Sequence, residues 1–193
     1  RVFETIDYDF EVILIDDGSK DDSWLNILKL TKINQNFKGL RFLKNYGQHN
    51  AVLCGLRYAT GDYCITIDDD LQNPPEEIPK FLKQAEENNN DLIFGKFIKK
   101  KSTFLRIIGS KFVSYCVKKI FSPNKNIVSS NYRLLRKDVV NRIIEYKIGF
   151  PYISGLALKF SKNPSNILVE HHSRVDGKST YTFSKILKLL SVI

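Results

Sequence analysis

The chain has 193 residues, of which 42% are hydrophobic, so it can build one ordinary α/β core, and its formal net charge is +9 at pH 7. Its three cysteines, Cys54, Cys64 and Cys116, stand singly in apolar surroundings, a pattern typical of core thiols in a reducing compartment rather than of zinc ligands. The length of the chain predicts one domain over residues 1–193. No run of 18 or more apolar residues is present, so no membrane-spanning helix is expected within it.

Charge is distributed unevenly along the sequence. Residues 1–95 hold 10 Lys/Arg and 17 Asp/Glu, whereas residues 96–142 hold 13 Lys/Arg and a single acid, Asp138. Within the basic part, apolar residues at helical spacing predict an amphipathic helix near residues 103–121. Such a helix either packs on a sheet or lies on an anionic membrane surface, and the sequence leaves both open.

Apolar runs alternate with segments of helical periodicity. The predicted strands cover residues 11–16, 40–43, 63–67, 91–95, 132–135 and 167–170. The predicted helices lie near residues 23–30, 48–59, 75–87, 103–121, 137–146, 151–161 and 182–193. This alternation predicts an α/β fold with a mostly parallel central sheet.

Three carboxylates follow the strand predicted at residues 63–67. Asp68 and Asp70 alternate along an extended chain and face one side, Gln72 continues that side, and Asp69 points away. Oxygen ligands of this kind suit Mg²⁺ or Mn²⁺. Standing alone, however, such a segment is more often a solvated acidic turn.

Two further loops are expected beside this one, because residues 16–19, 45–50 and 68–73 all follow predicted strands of one sheet. Asp16 and Asp17 can accept hydrogen bonds from a nucleobase or a ribose. Gly47 lets the backbone approach a ligand, and the helix after it offers its N-terminus to phosphate. Each loop alone is compatible with an ordinary turn, but together they favour a nucleotide diphosphate bound through a metal.

Several segments resemble family 2 of the inverting glycosyltransferases. They are residues 12–19 (Val-Ile-Leu-Ile-Asp-Asp-Gly-Ser), 45–51 (Asn-Tyr-Gly-Gln-His-Asn-Ala) and 68–76 (Asp-Asp-Asp-Leu-Gln-Asn-Pro-Pro-Glu). With residues 130–135 and 174–181, the chain is similar more narrowly to the polyprenyl-phosphate glycosyltransferases, the group of dolichyl-phosphate mannose synthase and the bacterial undecaprenyl-phosphate sugar transferases. The resemblance covers nearly the whole chain and implies a GT-A type nucleotide-diphospho-sugar transferase fold.

The resemblance also implies a role for each matching residue. Mg²⁺ or Mn²⁺ and the donor diphosphate would be held by Asp68, Asp70 and Gln72. The nucleotide pocket would be lined by Asp16, Asp17, Asn45, Gly47, Gln48 and Asp68. The phosphate of the lipid acceptor would be bound by Arg133, Arg174, Lys178 and Ser179. The catalytic residues would be Asp70, Arg133 and Asn131.

The chain departs from the family pattern in two respects. The family's first strand, ending in Pro-x-Tyr-Asn-Glu, is missing before Arg1, and many relatives continue into membrane-spanning helices where this chain stops. We therefore expect a fragment truncated at both ends, with a juxtamembrane-like helix at residues 182–193. Asn131 stands where close bacterial relatives usually carry aspartate, and an asparagine cannot act as a base.

The expected function is metal-dependent, inverting transfer of a sugar from a nucleotide diphospho-sugar to a polyprenyl phosphate at the cytoplasmic face of the cell membrane. A phosphate acceptor is already largely a dianion at neutral pH, since its second pKa is about 6, and it needs no base. One alternative is a family 2 enzyme acting on a saccharide hydroxyl in surface polysaccharide synthesis, but residues 96–150 contain no convincing base motif.

A second alternative belongs to another class: a non-catalytic nucleotide or nucleic-acid binding module. The three carboxylates at residues 68–70 would repel a phosphate backbone, so we expect no nucleic-acid partner. The sequence leaves open the base and sugar of the donor and the oligomeric state.

Overall fold

A computed structural model of the chain describes residue 2 and residues 7–97, 127–147 and 151–172. The strands are β1 (Val12–Asp16), β2 (Phe37–Arg41), β3 (Tyr63–Thr66), β4 (Leu92–Phe97), β5 (Arg133–Arg136) and β6 (Pro164–Val169). The helices are α1 (Ser23–Ile33), α2 (Gln48–Tyr58), α3 (Ile78–Glu87), α4 (Lys137–Glu145) and α5 (Ile153–Phe160), and a short 3-10 helix (Pro75–Glu77) precedes α3. The helices predicted at residues 103–121 and 182–193 lie outside the described residues.

The strands form two sheets in the described part of the chain. β1 pairs in parallel with β2, and the other four strands follow the order β3, β5, β4, β6. β5 runs antiparallel to both β3 and β4, while β4 and β6 are parallel. The α/β class is confirmed, but the prediction of one mostly parallel sheet is wrong for these residues. The sequence of residues 132–135 does not indicate the direction of this strand. In the structure, β5 lies between β3 and β4 and runs antiparallel to both.

Two apolar clusters cover the two faces of the four-stranded sheet, because successive side chains of a strand point to opposite faces. On one face, Leu92 and Phe94 of β4 pack with Leu135 of β5 against α2, α4 and α5. On the other face, Ile93 of β4 and Leu134 of β5 pack against α3. Burial on both faces explains the consecutive apolar residues in the middle of these strands, Leu92–Phe94 of β4 and Leu134–Leu135 of β5.

The two-stranded sheet is less well covered. β1 is apolar from Val12 to Ile15, yet all four residues remain partly exposed. Glu11, at the start of β1, accepts hydrogen bonds from the backbone N–H and the hydroxyl of Thr60, both at 2.7 Å, and from Lys38 Nζ at 2.7 Å. Glu11 thereby links β1 to β2 and to the turn before β3, although β1 and β3 share no ladder. The strand expected to precede residue 1 stays a prediction.

A histidine of α2 that the sequence did not single out is half-buried against the residue that precedes α5. The ring of His49 contacts the ring of Tyr152 edge to face, with centroids 5.4 Å apart. Burial, reinforced by the positive charge of Arg133, lowers the pKa of His49 to about 4, so its imidazole is neutral at pH 7.

Within the described ranges, no helix is both long and apolar enough to cross a bilayer.

The depressed pKa of His49 predicts an acid-sensitive contribution to stability. The unfolded histidine takes up a proton near pH 6.5 and the folded one only near pH 4, so no penalty exists above pH 6.5 and it grows as the pH falls towards 4. Between pH 7 and about pH 5 we expect this residue to lower the free energy of unfolding by about 2 kcal/mol.

Urea unfolding at both pH values checks the prediction. His49→Gln removes that part of the pH dependence, whereas the same substitution at the exposed His172 leaves it in place. An unchanged pH dependence in His49→Gln would contradict the assignment.

Candidate active site

Hydrogen bonds join the first two predicted loops. The carboxylate of Asp17 accepts the backbone N–H of Tyr46 at 2.7 Å on one oxygen and that of Gly47 at 2.8 Å on the other. The side-chain amide of Asn45 donates to the Asp17 carbonyl at 3.1 Å. Gly47 caps α2 with a φ of 90°, a conformation that favours glycine. The negative charge that a helix N-terminus favours is thus already supplied by Asp17.

Asp16 lies on the other side of the first loop. Its buried carboxylate accepts the backbone N–H of Ser19 at 2.8 Å and forms an ion pair with Arg41 Nε at 3.1 Å. Gly18 follows with a φ of 73°, and a Cβ there would lie 2.7 Å from the backbone carbonyl carbon of Lys44. Both acidic residues therefore brace the loops in this structure, and their contact with a nucleoside stays a prediction.

The second loop contacts the third through Asp68. Gln48, the first residue of α2, donates its side-chain amide to Asp68 Oδ1 at 2.6 Å. The side-chain amide of Asn131 approaches Asp68 Oδ2 at 3.4 Å, a long hydrogen bond. We call these two side chains the amide clamp. Burial raises the pKa of Asp68, the bond from Asn131 lowers it, and the charge of Asp70 raises it, with a net upward shift.

The rest of the third loop follows the predicted alternation. Asp68 and Asp70 are half-buried, whereas Asp69 is exposed. Asp70 Oδ1 accepts the backbone N–H of Gln72 at 3.2 Å. Gln72 also contacts the segment after β6, since its carbonyl accepts the N–H of His172 at 3.0 Å and its side-chain amide donates to the His172 carbonyl at 3.3 Å. The side chain of Gln72 is therefore engaged with the chain itself.

The donor set of the third loop fits a hard divalent cation. Among the described residues, no group of three or more His, Cys, Asp or Glu side chains is arranged to hold a metal, and none forms an ion pair with Asp68. Mg²⁺ commonly uses one or two carboxylates and completes its shell with substrate phosphates and water. Asp68 and Asp70 would hold such an ion, and Gln72 would join them if its amide oxygen turned towards it.

Arg133 is buried beside these carboxylates. Its side chain is 1% exposed, its Nε donates to Thr66 Oγ1 at 3.2 Å, and its Nη1 donates to Ser154 Oγ at 2.6 Å. The Thr66 hydroxyl in turn donates to the carbonyl of Asn131 at 2.6 Å. Burial lowers the pKa of Arg133 to about 10, which leaves the guanidinium charged at neutral pH. A contact between Arg133 and an acceptor phosphate stays a prediction.

The structure brings together most of the predicted site residues that it describes. Hydrogen bonds join Asp17 to Asn45 and Gly47 and join Asp68 to Gln48 and Asn131, and the two sets are linked because Gln48 follows Gly47 in the chain. Asp16 faces Arg41 instead, while Arg174, Lys178 and Ser179 lie outside the described residues. The sequence reasoning missed Thr66, Ser154 and His49. Thr66 carried a signal, because it precedes Asp68 by two positions and so shares its side of the chain.

A cavity of about 640 Å³ opens beside the first two loops, at the ends of β1 and β2. Its lining is formed by Gly18, Ser19, Lys20, Arg41, Phe42, Leu43, Lys44 and Asn45. Three of these residues are cationic, and Asn45 belongs to the predicted nucleotide pocket. The cavity therefore combines space, positive charge and one predicted site residue.

Comparison with known proteins identifies the family. The sequence profile of glycosyl transferase family 2 matches residues 1–145. The chain is 35% identical over 183 residues to an undecaprenyl-phosphate 4-deoxy-4-formamido-L-arabinose transferase of Shewanella sediminis (strain HAW-EB3), covering 94% of this chain and 55% of that protein. A protein of the same name from Pseudomonas syringae pv. syringae (strain B728a) is 32% identical over 189 residues, covering 97% of this chain and 56% of the relative. The chain thus spans a little over half the length of these relatives.

Solved structures show the same fold. Glucosyl-3-phosphoglycerate synthase from Mycobacterium tuberculosis, in a complex with Mn²⁺, uridine-diphosphate-glucose and phosphoglyceric acid, superposes with a TM-score of 0.62 at 14% identity, over 93% of this chain and 67% of that one. At this identity the likeness concerns the fold alone, and it confirms the expected GT-A type. With the profile match and two relatives above 30% identity, the chain belongs to glycosyl transferase family 2.

Proposed function

We propose that this chain is the catalytic domain of a glycosyltransferase that moves a sugar from a nucleotide diphospho-sugar to a polyprenyl phosphate with the help of Mg²⁺ or Mn²⁺. The names of the two relatives support the class of acceptor. The manganese complex of the solved neighbour supports a divalent ion in this fold. The metal residues would be Asp68, Asp70 and Gln72, and the nucleotide would lie over the first two loops.

One observation carries the proposal: the half-buried carboxylate of Asp68 lies between the second loop and Asn131, and its hydrogen-bond donors among the described residues are two neutral amides. Asp16, by comparison, forms an ion pair with Arg41. Asp68 keeps its negative charge available instead. Its neighbour Asp70 is half-buried on the same side of the loop and adds to the field that attracts a cation.

The proposed reaction is an in-line displacement at the anomeric carbon. An oxygen of the acceptor phosphate forms the new bond to that carbon, while the bond from the carbon to the diphosphate oxygen breaks and its electron pair leaves with the nucleotide diphosphate. The configuration is therefore inverted. A bound divalent ion would neutralise the charge that develops on the leaving diphosphate. The residues of this chain would hold that ion, orient the donor and offset the repulsion between two anions.

Asn131 fits an acceptor that needs no base. A phosphate monoester is largely a dianion at neutral pH because its second pKa is about 6, so it attacks without losing a proton. The side-chain amide of Asn131 is directed towards Asp68 instead. A saccharide hydroxyl, by contrast, would require a base at the point of attack.

The acceptor side of the site would lie near the end of β6. His172 is hydrogen-bonded to Gln72 in the third loop, and Arg174 follows His172 by two residues. Lys178 and Ser179 come shortly after in the sequence, and all three predicted phosphate ligands lie outside the described residues. A lipid acceptor places the reaction at a membrane surface. The excess of Lys/Arg in residues 96–142 would favour the cytoplasmic leaflet, whose surface potential is negative.

Backbone strain marks the same loop. Leu71, between Asp70 and Gln72, has a φ of 60°, which is unfavourable for a leucine. Strained conformations persist mainly where a particular loop geometry is needed, and here the geometry places Asp70 and Gln72. The strain supports a functional role for the loop.

Relief of this strain predicts a more stable protein. A left-handed conformation costs a leucine about 1–2 kcal/mol, whereas asparagine adopts it readily. Leu71 is 65% exposed, so few contacts are lost in Leu71→Asn, and we expect the free energy of unfolding to rise by about 0.5–1 kcal/mol.

Urea unfolding of Leu71→Asn is compared with that of Leu43→Asn. Both substitutions replace an exposed leucine by asparagine, so a difference between their effects on the free energy of unfolding reports the backbone strain at Leu71. Leu43 is fully exposed and is not among the described residues with positive φ. Equal effects of the two substitutions, or a loss of stability in Leu71→Asn, would argue against a strained loop.

The enzymatic proposal is tested with purified protein, a short-chain polyprenyl phosphate, Mg²⁺ or Mn²⁺, and a panel of uridine and guanosine diphosphate sugars. We expect a sugar–phosphate-lipid product of inverted configuration, lost on chelation of the metal. Asp68→Asn and Asp70→Ala should lower kcat/KM by about 100-fold or more, since each removes a ligand that supports several kcal/mol of charge stabilisation. Asp69→Asn, at the exposed neighbouring position, is the matched control and should retain activity.

Two results would overturn parts of this proposal. Wild-type turnover in Asp68→Asn or Asp70→Ala would exclude the metal assignment. Transfer to a saccharide hydroxyl but not to polyprenyl phosphate would replace the acceptor class.

A further inference from the structure

Gln48 is the tightest partner of the candidate metal carboxylate. Its amide nitrogen lies 2.6 Å from Asp68 Oδ1, whereas Asn131 lies at 3.4 Å from Oδ2. The nitrogen of Gln48, not its oxygen, must face the carboxylate, because the oxygen would repel it. The contact crosses from the first turn of α2 to the loop after β3.

The backbone at Gln48 is fixed independently of this contact. Asp17 binds the N–H groups of Tyr46 and Gly47, the two residues before Gln48. The carbonyl of Gly47 then accepts the N–H groups of Asn50 and Ala51 at 3.0 and 3.2 Å, which closes the first turn of α2. Gln48 therefore reaches Asp68 from an anchored position, and this arrangement is suited to setting the orientation of another side chain.

We propose that Gln48 is a positioning residue for Asp68, with Asn131 as a weaker second support. The amide clamp holds the carboxylate in one orientation before any ligand arrives. This inference rests on the proposed function, because it gives Gln48 a role towards the metal carboxylate in place of the direct nucleotide contact that the resemblance implied.

The chemistry of an amide suits this task. An ionised carboxylate offers about four acceptor positions, so two amide donors leave the others for a cation. A lysine or arginine at either position would also fix the carboxylate, but its positive charge would oppose cation binding. Groups that hydrogen-bond to metal ligands typically contribute 10–100-fold in metal affinity, and Gln48 and Asn131 occupy that place around Asp68.

The amide clamp also explains how an asparagine can serve at position 131, where close bacterial relatives usually carry aspartate. An ionised aspartate at that position could not donate a hydrogen bond to Asp68 and would add a second negative charge beside it. The asparagine donates instead. The backbone carbonyl of Asn131 accepts a hydrogen bond from the hydroxyl of Thr66 at 2.6 Å. This bond fixes the backbone that carries the side-chain amide.

Binding of Mn²⁺ alone, followed by electron paramagnetic resonance of the free ion, tests the proposal without any assay of turnover. Gln48→Met keeps the length of the side chain and removes the donor, and we expect its Mn²⁺ dissociation constant to rise by about tenfold or more. Asn131→Ala should produce a smaller rise, because its hydrogen bond is longer. Gln35→Met, at an exposed glutamine before β2, is the matched control and should bind Mn²⁺ like the unaltered protein. Circular dichroism and thermal unfolding of each variant establish that it is folded.

The outcomes separate this inference from the proposed function. If folded Gln48→Met binds Mn²⁺ as the unaltered protein does while Asp68→Asn does not, the positioning role is overturned and the metal site stands. If the unaltered protein binds no Mn²⁺ at millimolar concentration, with or without uridine or guanosine diphosphate, the metal assignment fails and the positioning role fails with it. Weaker binding in Gln48→Met at an unchanged melting temperature supports both.

Discussion

The hydrogen bonds of Asp17 to the backbone of the second loop are the contact on which the rest of the site depends. They hold Tyr46 and Gly47, which set the start of α2 and with it the position of Gln48. Gln48 then donates a hydrogen bond to Asp68. Asp68 also accepts a hydrogen bond from Asn131, which precedes β5 by two residues. Elements far apart in the sequence are joined in this way although β1 and β3 belong to different sheets. The first two loops are joined by hydrogen bonds between side chains and backbone, and the second and third by a hydrogen bond between two side chains, rather than by a shared ladder.

Within the part of the chain that the structure describes, Asp68 forms no direct ion pair. Arg133 supplies a buried positive charge near Asp68, but hydroxyl groups of Thr66 and Ser154 take its hydrogen bonds. This separation matters because a guanidinium bound to the carboxylate would occupy the oxygens that a cation needs. Burial, with a smaller effect of the same positive charge, lowers the pKa of His49 and keeps its ring neutral. The fold thus keeps the negative charge of Asp68 accessible while it limits the cost of burying Arg133.

Much of this arrangement could be predicted from the sequence, and the failures have physical causes. The expected alternation of Asp68, Asp69 and Asp70 agrees with the exposure of Asp69 alone among the three, although the backbone bends from Asp69 onward instead of staying extended. The direction of β5 could not be predicted, since a short extended segment of four residues is compatible with either pairing. The role of Asp17 as a brace was also missed. A carboxylate after a strand suits a ligand and a loop equally well, and the role in the loop became visible only in the distances to Tyr46 and Gly47.

The account depends on a divalent cation held between the protein and the diphosphate of the donor. Crystals grown with Mn²⁺ and a nucleotide diphosphate, measured at the manganese absorption edge, locate that ion directly. We predict an anomalous peak about 2 Å from carboxylate oxygens of both Asp68 and Asp70, and in contact with the diphosphate. Bound nucleotide with no peak there, or a peak at a site away from these two residues, would contradict the account.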